Sequence, residues 1–144
     1  MNFLRLAALD EEDLNIISAH VQDAVVRVGD IDYAPGENRL LMVMNRFVWE
    51  NKQGIFRKHY ERRRCALHFD RVKSVAGLAI DQKQRDRVLS LLALQFEETD
   101  APAGFIQVIF SGDAALRIEV ECIEVRLTDL GGAWEARRKP FHGV

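Results

Sequence analysis

Between residues 57 and 64 the chain reads RKHYERRR, five cationic side chains gathered around Tyr60. Cations interleaved with an aromatic ring are what phosphate contacts and base stacking require. Arg57, Lys58, Tyr60, Arg62, Arg63 and Arg64 are therefore the candidate nucleic-acid-binding residues. A basic run of this length also arises as a solvated loop, or as the partner of an acidic row. Such a row exists at Glu119, Glu121, Glu124 and Asp129. The expectation is that the two neutralise each other or stay solvated, with nucleic-acid binding as the alternative.

A second group lies in LLMVMNRFVWE, residues 40–50. Alternation sets Leu41, Val43, Asn45, Phe47 and Trp49 on one side of a strand, and Leu40, Met42, Met44 and Arg46 on the other. Asn45 thus falls on an apolar side, where an amide must find hydrogen-bond partners or cost free energy. It is expected to tie down a neighbouring loop. The alternative is a small-ligand or catalytic site built from Asn45, Arg46 and Trp49, which demands a concave pocket.

No other constellation in the sequence carries chemistry. The four histidines, at 20, 59, 68 and 142, lack the spacing that aims two imidazoles at one ion, so no metal is expected. Phosphate-cradling and dinucleotide glycine loops do not occur, nor does a nucleophile elbow, so no cofactor and no catalytic residue is assigned. Glu119 and Glu121 alternate onto one strand face, where a carboxylate row keeps an edge soluble. Cys65 and Cys122 have no CxxC partner and read as small apolar residues.

These groups must be held by a scaffold. The 144 residues, 48% apolar and 29% charged, suit one folded domain over 1–144, with 131–144 as a C-terminal tail. A net charge of −2 is too small for the whole-molecule field to recruit a polyanion, so any such binding needs a local patch. The first residues lack the basic and apolar regions of a secretory signal, and no apolar run is long enough for a membrane helix. A bacterial, cytoplasmic protein is expected.

Asp10 followed by Glu11, Glu12 and Asp13 is a helix start, with Leu14, Ile17 and Val21 on one face of a helix over about 10–21. Residues 24–49 then alternate as a hairpin turning at APGEN, 34–38. The charged stretch 50–63 reads as a loop. Residues 88–99 fit helix or strand; strand is preferred, with a helical turn over 81–87 before it. The alternation in AALRIEVECIEVRLTDLGG, 114–132, breaks at Cys122-Ile123 and resumes in the opposite phase. A β-bulge that bends the strand accounts for this while keeping both halves on the core. Residues 66–80 repeat the pattern weakly.

The strings Asn45-Arg46-Phe47 with Trp49-Glu50, ALHFDRVKSV at 66–75, and LRIEVECIEVRLTDLG at 116–131 resemble a family of small bacterial proteins catalogued as a domain of unknown function. The resemblance covers nearly the full length and implies one domain. It transfers no activity to any residue. The expectation is an α+β fold, mainly antiparallel and strongly bent or barrel-like, with an N-terminal helix and one further short helix. The function expected is a non-enzymatic interaction or regulatory module, with a protein partner or a homodimer formed through an edge strand.

Overall fold

A computed structural model describes residues 3–51 and 58–131, with the backbone alone at 49–51 and 58–61. Residues 5–34 form β1 (Arg5–Ala8), α1 (Glu11–Val21) and β2 (Val25–Ala34), followed by a 3-10 turn at Pro35–Glu37. The remaining elements are β3 (Arg39–Asn51), β4 (Lys58–Phe69), β5 (Val72–Leu78), β6 (Val88–Glu98), β7 (Gly104–Phe110), β8 (Ala115–Val120) and β9 (Val125–Asp129). The strands share one antiparallel sheet in the order β1-β9-β4-β3-β2-β6-β7-β8-β5.

The helix begins where local chemistry says it must. Asp10 is extended and accepts a 2.8 Å hydrogen bond from the Asp13 N–H, and Glu11, Glu12 and Asp13 sit at the positive end of the helix dipole. Leu14, Ile17 and Val21 are buried against β6 and β1. Ser18, on the same helix, accepts a 2.9 Å hydrogen bond from the Leu94 N–H of β6. That N–H lies just past an irregularity in the β6–β7 pairing, between Leu91 and Ala93.

Two corners shape the sheet. β4 and β5 are one ribbon that turns at Asp70-Arg71, and β8 and β9 are a second that turns over 121–124. The two ribbons pair with each other on both sides of the corner, Cys65–Phe69 with Val125–Asp129 and Val72–Leu78 with Ala115–Val120. The chain is held at the bend by Asp70 N–H to Glu124 O at 2.9 Å and Glu121 N–H to Arg71 O at 3.0 Å. Arg71 occupies the left-handed region at φ 60°, as a sharp turn requires. Leu116, Ile118 and Val120 are buried before the bend, and Ile123, Val125 and Leu127 after it. The phase change at Cys122-Ile123 is thus a corner spanning 121–124 rather than one extra residue within a strand.

Several expectations need correction. The sheet is not closed into a barrel: its order has two ends, β1 and β5. The stretch 50–63 is mostly strand, because the β3–β4 register runs on without slip from Leu40–Phe69 to Asn51–Lys58; residues 52–57 lie outside those described. Residues 81–87 form turns, not a helical turn, and the short helix is the 3-10 turn at Pro35–Glu37. Of the expected tail, 131–144, all but Gly131 lies outside the described residues.

Candidate nucleic-acid interface

The β3–β4 register decides which side chains share a face. Met42 opposes Leu67, Met44 opposes Cys65 and Arg46 opposes Arg63, and this side carries the core. The other side carries Leu41 opposite His68, Val43 opposite Ala66, Asn45 opposite Arg64, and Phe47 opposite Arg62. β9 and β1 extend this outer face with Arg126 beside His68 and Arg5 beside Thr128. Arg5, Arg62 and Arg126 are exposed, whereas His68 and Arg64 are half-buried.

Contacts within the face are partly ionic and partly aromatic. The Arg62 guanidinium stands 5.6 Å from the centroid of the Phe47 ring, within cation–π range. Asp70 accepts from Arg39 at 2.9 Å and Arg126 at 3.4 Å. The His68 Nδ1 is buried without a hydrogen bond among the described residues. Burial pushes the His68 pKa down, as do the charges of Arg126 and Arg39, against an opposing pull from Asp70.

The acidic row at 119–124 has its own partners. Lys73 lies 3.9 Å from Glu119, which also accepts from the Ser74 hydroxyl at 3.0 Å, and Arg71 lies 3.7 Å from both Glu121 and Glu124. These cations belong to β5 and the corner before it. Among the described side chains of the basic segment, Arg62, Arg63 and Arg64, none is a partner of these three carboxylates.

Asp129, the fourth carboxylate of that group, is buried in the core phase of β9. Arg46 meets it there as a fork, Nε to Oδ1 and Nη2 to Oδ2, both at 2.8 Å. The Leu4 N–H adds a third hydrogen bond at 2.9 Å. Burial alone would raise the Asp129 pKa, but the hydrogen bonds from Arg46 and Leu4 and the charges of Arg46 and Arg63 outweigh it and hold the carboxyl below its ordinary value. Next to it, burial pushes the Cys65 thiol up to about 12, with the Asp129 charge adding to the effect.

The structure thus separates Asn45 from Arg46. They project to opposite faces of β3, Arg46 in an internal ion pair and Asn45 on the outer face. For Trp49 the register gives a backbone partner, Tyr60, and the side chains of both fall outside what is described. The same holds for Lys58, while Arg57 is not among the described residues. Arg63 lies on the core side of β4, away from Arg62 and Arg64.

Asn45 does not tie down a loop. β2 pairs with β3 at Val25-Val26 and again from Ile31, so that residues 27–30 of β2 together oppose the single residue Val43. Over that interval β2 turns to the 85–88 segment, with Val28 N–H to Arg87 O and Gly29 N–H to Arg85 O, both 2.9 Å. A Cβ on Gly29 would come within 3.1 Å of the Arg85 carbonyl oxygen, which is why glycine suits this approach. Where the strands part, a notch of about 370 Å³ opens, with Arg27, Asp30, Val43, Asn45, Arg64 and Val88 in its walls. Sequence reasoning missed the notch, and its one trace there is the break in alternation at Gly29-Asp30.

The family model described as a protein of unknown function, DUF2948, matches residues 4–142. The chain belongs to the DUF2948 family. No curated protein and no solved structure matches it significantly. The DUF2948 match spans every element that builds the outer face, from β1 through β9, and the family's description names no activity. Among the described residues of this DUF2948 chain, no group of three or more His, Cys, Asp or Glu could hold a metal ion, and no helix is long and apolar enough to cross a membrane.

Proposed function

We propose that the outer face of β1, β9, β4 and β3 binds single-stranded nucleic acid. The observation that carries this reading is the separation of charge. The carboxylates of 119–124 are matched by Arg71 and Lys73, while Arg5, Arg62 and Arg64 gather with Arg126, which also meets Asp70, on one sheet face beside Phe47. A sheet face with cations and a ring suits unstacked bases, whose π-faces pack on aromatic side chains while phosphates meet arginine. The local patch supplies what a net charge of −2 cannot.

The test is binding of a labelled ~12-nucleotide single strand, followed as salt rises from about 50 mM to about 200 mM. The logarithm of affinity should fall linearly with the logarithm of salt. Replacing Arg62 or Arg5 with Gln should reduce the slope by roughly 0.7 for each phosphate that the arginine neutralises. Absence of binding at the lowest salt rejects the proposal.

A second reading, a protein partner or a second copy of the chain, is favoured by β5. This strand ends the sheet, pairing with β8 alone, and Leu78 on it is 65% exposed. A cleft of about 440 Å³ runs beside it, with Ile31, Tyr33, Val75, Ile80 and Leu116 in its walls. An extended segment could add there as a further strand. Mass measurement in solution distinguishes a homodimer, and Ala76→Pro should abolish it. The two cornered ribbons, 66–80 and 115–130, are read as copies of one bent unit. Cys65 and Cys122, both unpaired, accord with a cytoplasmic setting.

A further inference from the structure

We infer that the notch between β2 and β3 is the base-reading subsite of this interface, and that it selects adenine. The inference rests on reading the outer face as a nucleic-acid surface. Its own footing is Asn45, whose half-buried side chain makes no hydrogen bond among the described residues and borders the notch. A primary amide offers a donor and an acceptor side by side, the pattern that pairs with the N6 amino group and N7 of adenine. A base edge would supply this amide with the partners that no described residue gives it.

The other walls fit the same ligand. Val43 is buried at the floor and Val88 is 59% exposed, giving apolar surface against which a base can lie. Arg27 and Arg64 bring positive charge for the attached phosphate. The volume, about 370 Å³, lies at the lower end of small-molecule sites, which suits one nucleotide rather than a larger cofactor. The notch also opens on the same face as Arg62 and Phe47, so that a strand lying across β4 could place one base in it without leaving the sheet.

The experiment compares oligoadenylate with oligouridylate of equal length on the full chain at one salt concentration. Oligoadenylate should bind roughly tenfold more tightly. Asn45→Ala should erase the difference while leaving oligouridylate affinity and the salt slope unchanged. Val88→Gln, a neutral change at an exposed position, should do the same by replacing the apolar wall with a polar one, and serves as the second variant if Asn45→Ala fails to fold. Amide chemical shifts of Val43, Asn45 and Val88 should move on adding adenosine monophosphate. Equal binding of both oligomers, unaffected by either variant, overturns the subsite and leaves the interface standing. Failure of both oligomers to bind at low salt overturns the two together.

Discussion

Arg46 and Asp129, 83 positions apart in the chain, are joined by two parallel hydrogen bonds of 2.8 Å, with side chains 9% and 1% exposed. The fork ties the middle of β3 to the end of β9. Breaking one partner of a buried pair strands the other charge in a low-dielectric interior, whereas replacing both with apolar groups removes the problem. Arg46→Met or Asp129→Leu alone should therefore lower stability by about 3–5 kcal/mol, and the double variant by much less. Denaturant unfolding of the three variants measures this. Additive losses would mean that the pair does not act as a unit.

The same pair sets the acid limit. The Asp129 pKa is depressed below 3.8 in the fold, so the stability it contributes is fully present above pH 3.8 and is lost as pH falls through the folded value. Urea midpoints should drop below about pH 4 in the natural chain, with a shallower drop in the Arg46→Met, Asp129→Leu double variant.

His68 acts in a higher window. Its pKa is also depressed, from 6.5, so between the folded value and 6.5 the unfolded chain binds more protons and stability declines as pH falls. His68→Gln should flatten the stability curve just below pH 6.5, and a curve unchanged by the substitution would place the effect elsewhere.

Thiol reactivity should differ between the cysteines. Cys65 is fully buried with its thiol pushed up to about 12, so almost none is thiolate at neutral pH. Cys122, at the corner, is partly exposed. Iodoacetamide should modify Cys122 in the native protein and Cys65 only after unfolding, as read by peptide mass.

Ser18 offers a smaller test. Its hydroxyl is the acceptor for the Leu94 N–H, and Leu94 is 1% exposed. Ser18→Ala leaves that donor without a partner and should cost about 1–3 kcal/mol. Hydrogen exchange at the Leu94 amide should quicken.

What the sequence reveals about this chain follows from which interactions are local. The cap at Asp10, the turn at Pro35-Gly36 and the phase change at Cys122-Ile123 are each governed by neighbouring residues and can be read from them. Arg46 and Asp129 could not be matched that way, because each sits in a polar-looking slot whose apolar phase becomes visible only when Met42, Met44, Val125 and Leu127 are known to face one core. Asn45 drew notice on the right strand for the wrong face. The notch beside it comes from β2 parting from β3 over 27–30 while its other edge bonds to Arg85 and Arg87, a partner from far along the chain that neighbouring residues do not reveal.

Among the described strands, β1 hydrogen-bonds to β9 and to no other. During synthesis residues 5–8 thus emerge long before residues 125–129 exist, and for that interval the segment has no strand to join. Together with the Leu4–Asp129 hydrogen bond, this makes β9 the clasp that fixes the first strand. A ribosome-tethered chain halted before Val125 should therefore remain open to proteases at its first strand, and seal only when residues 125–129 arrive.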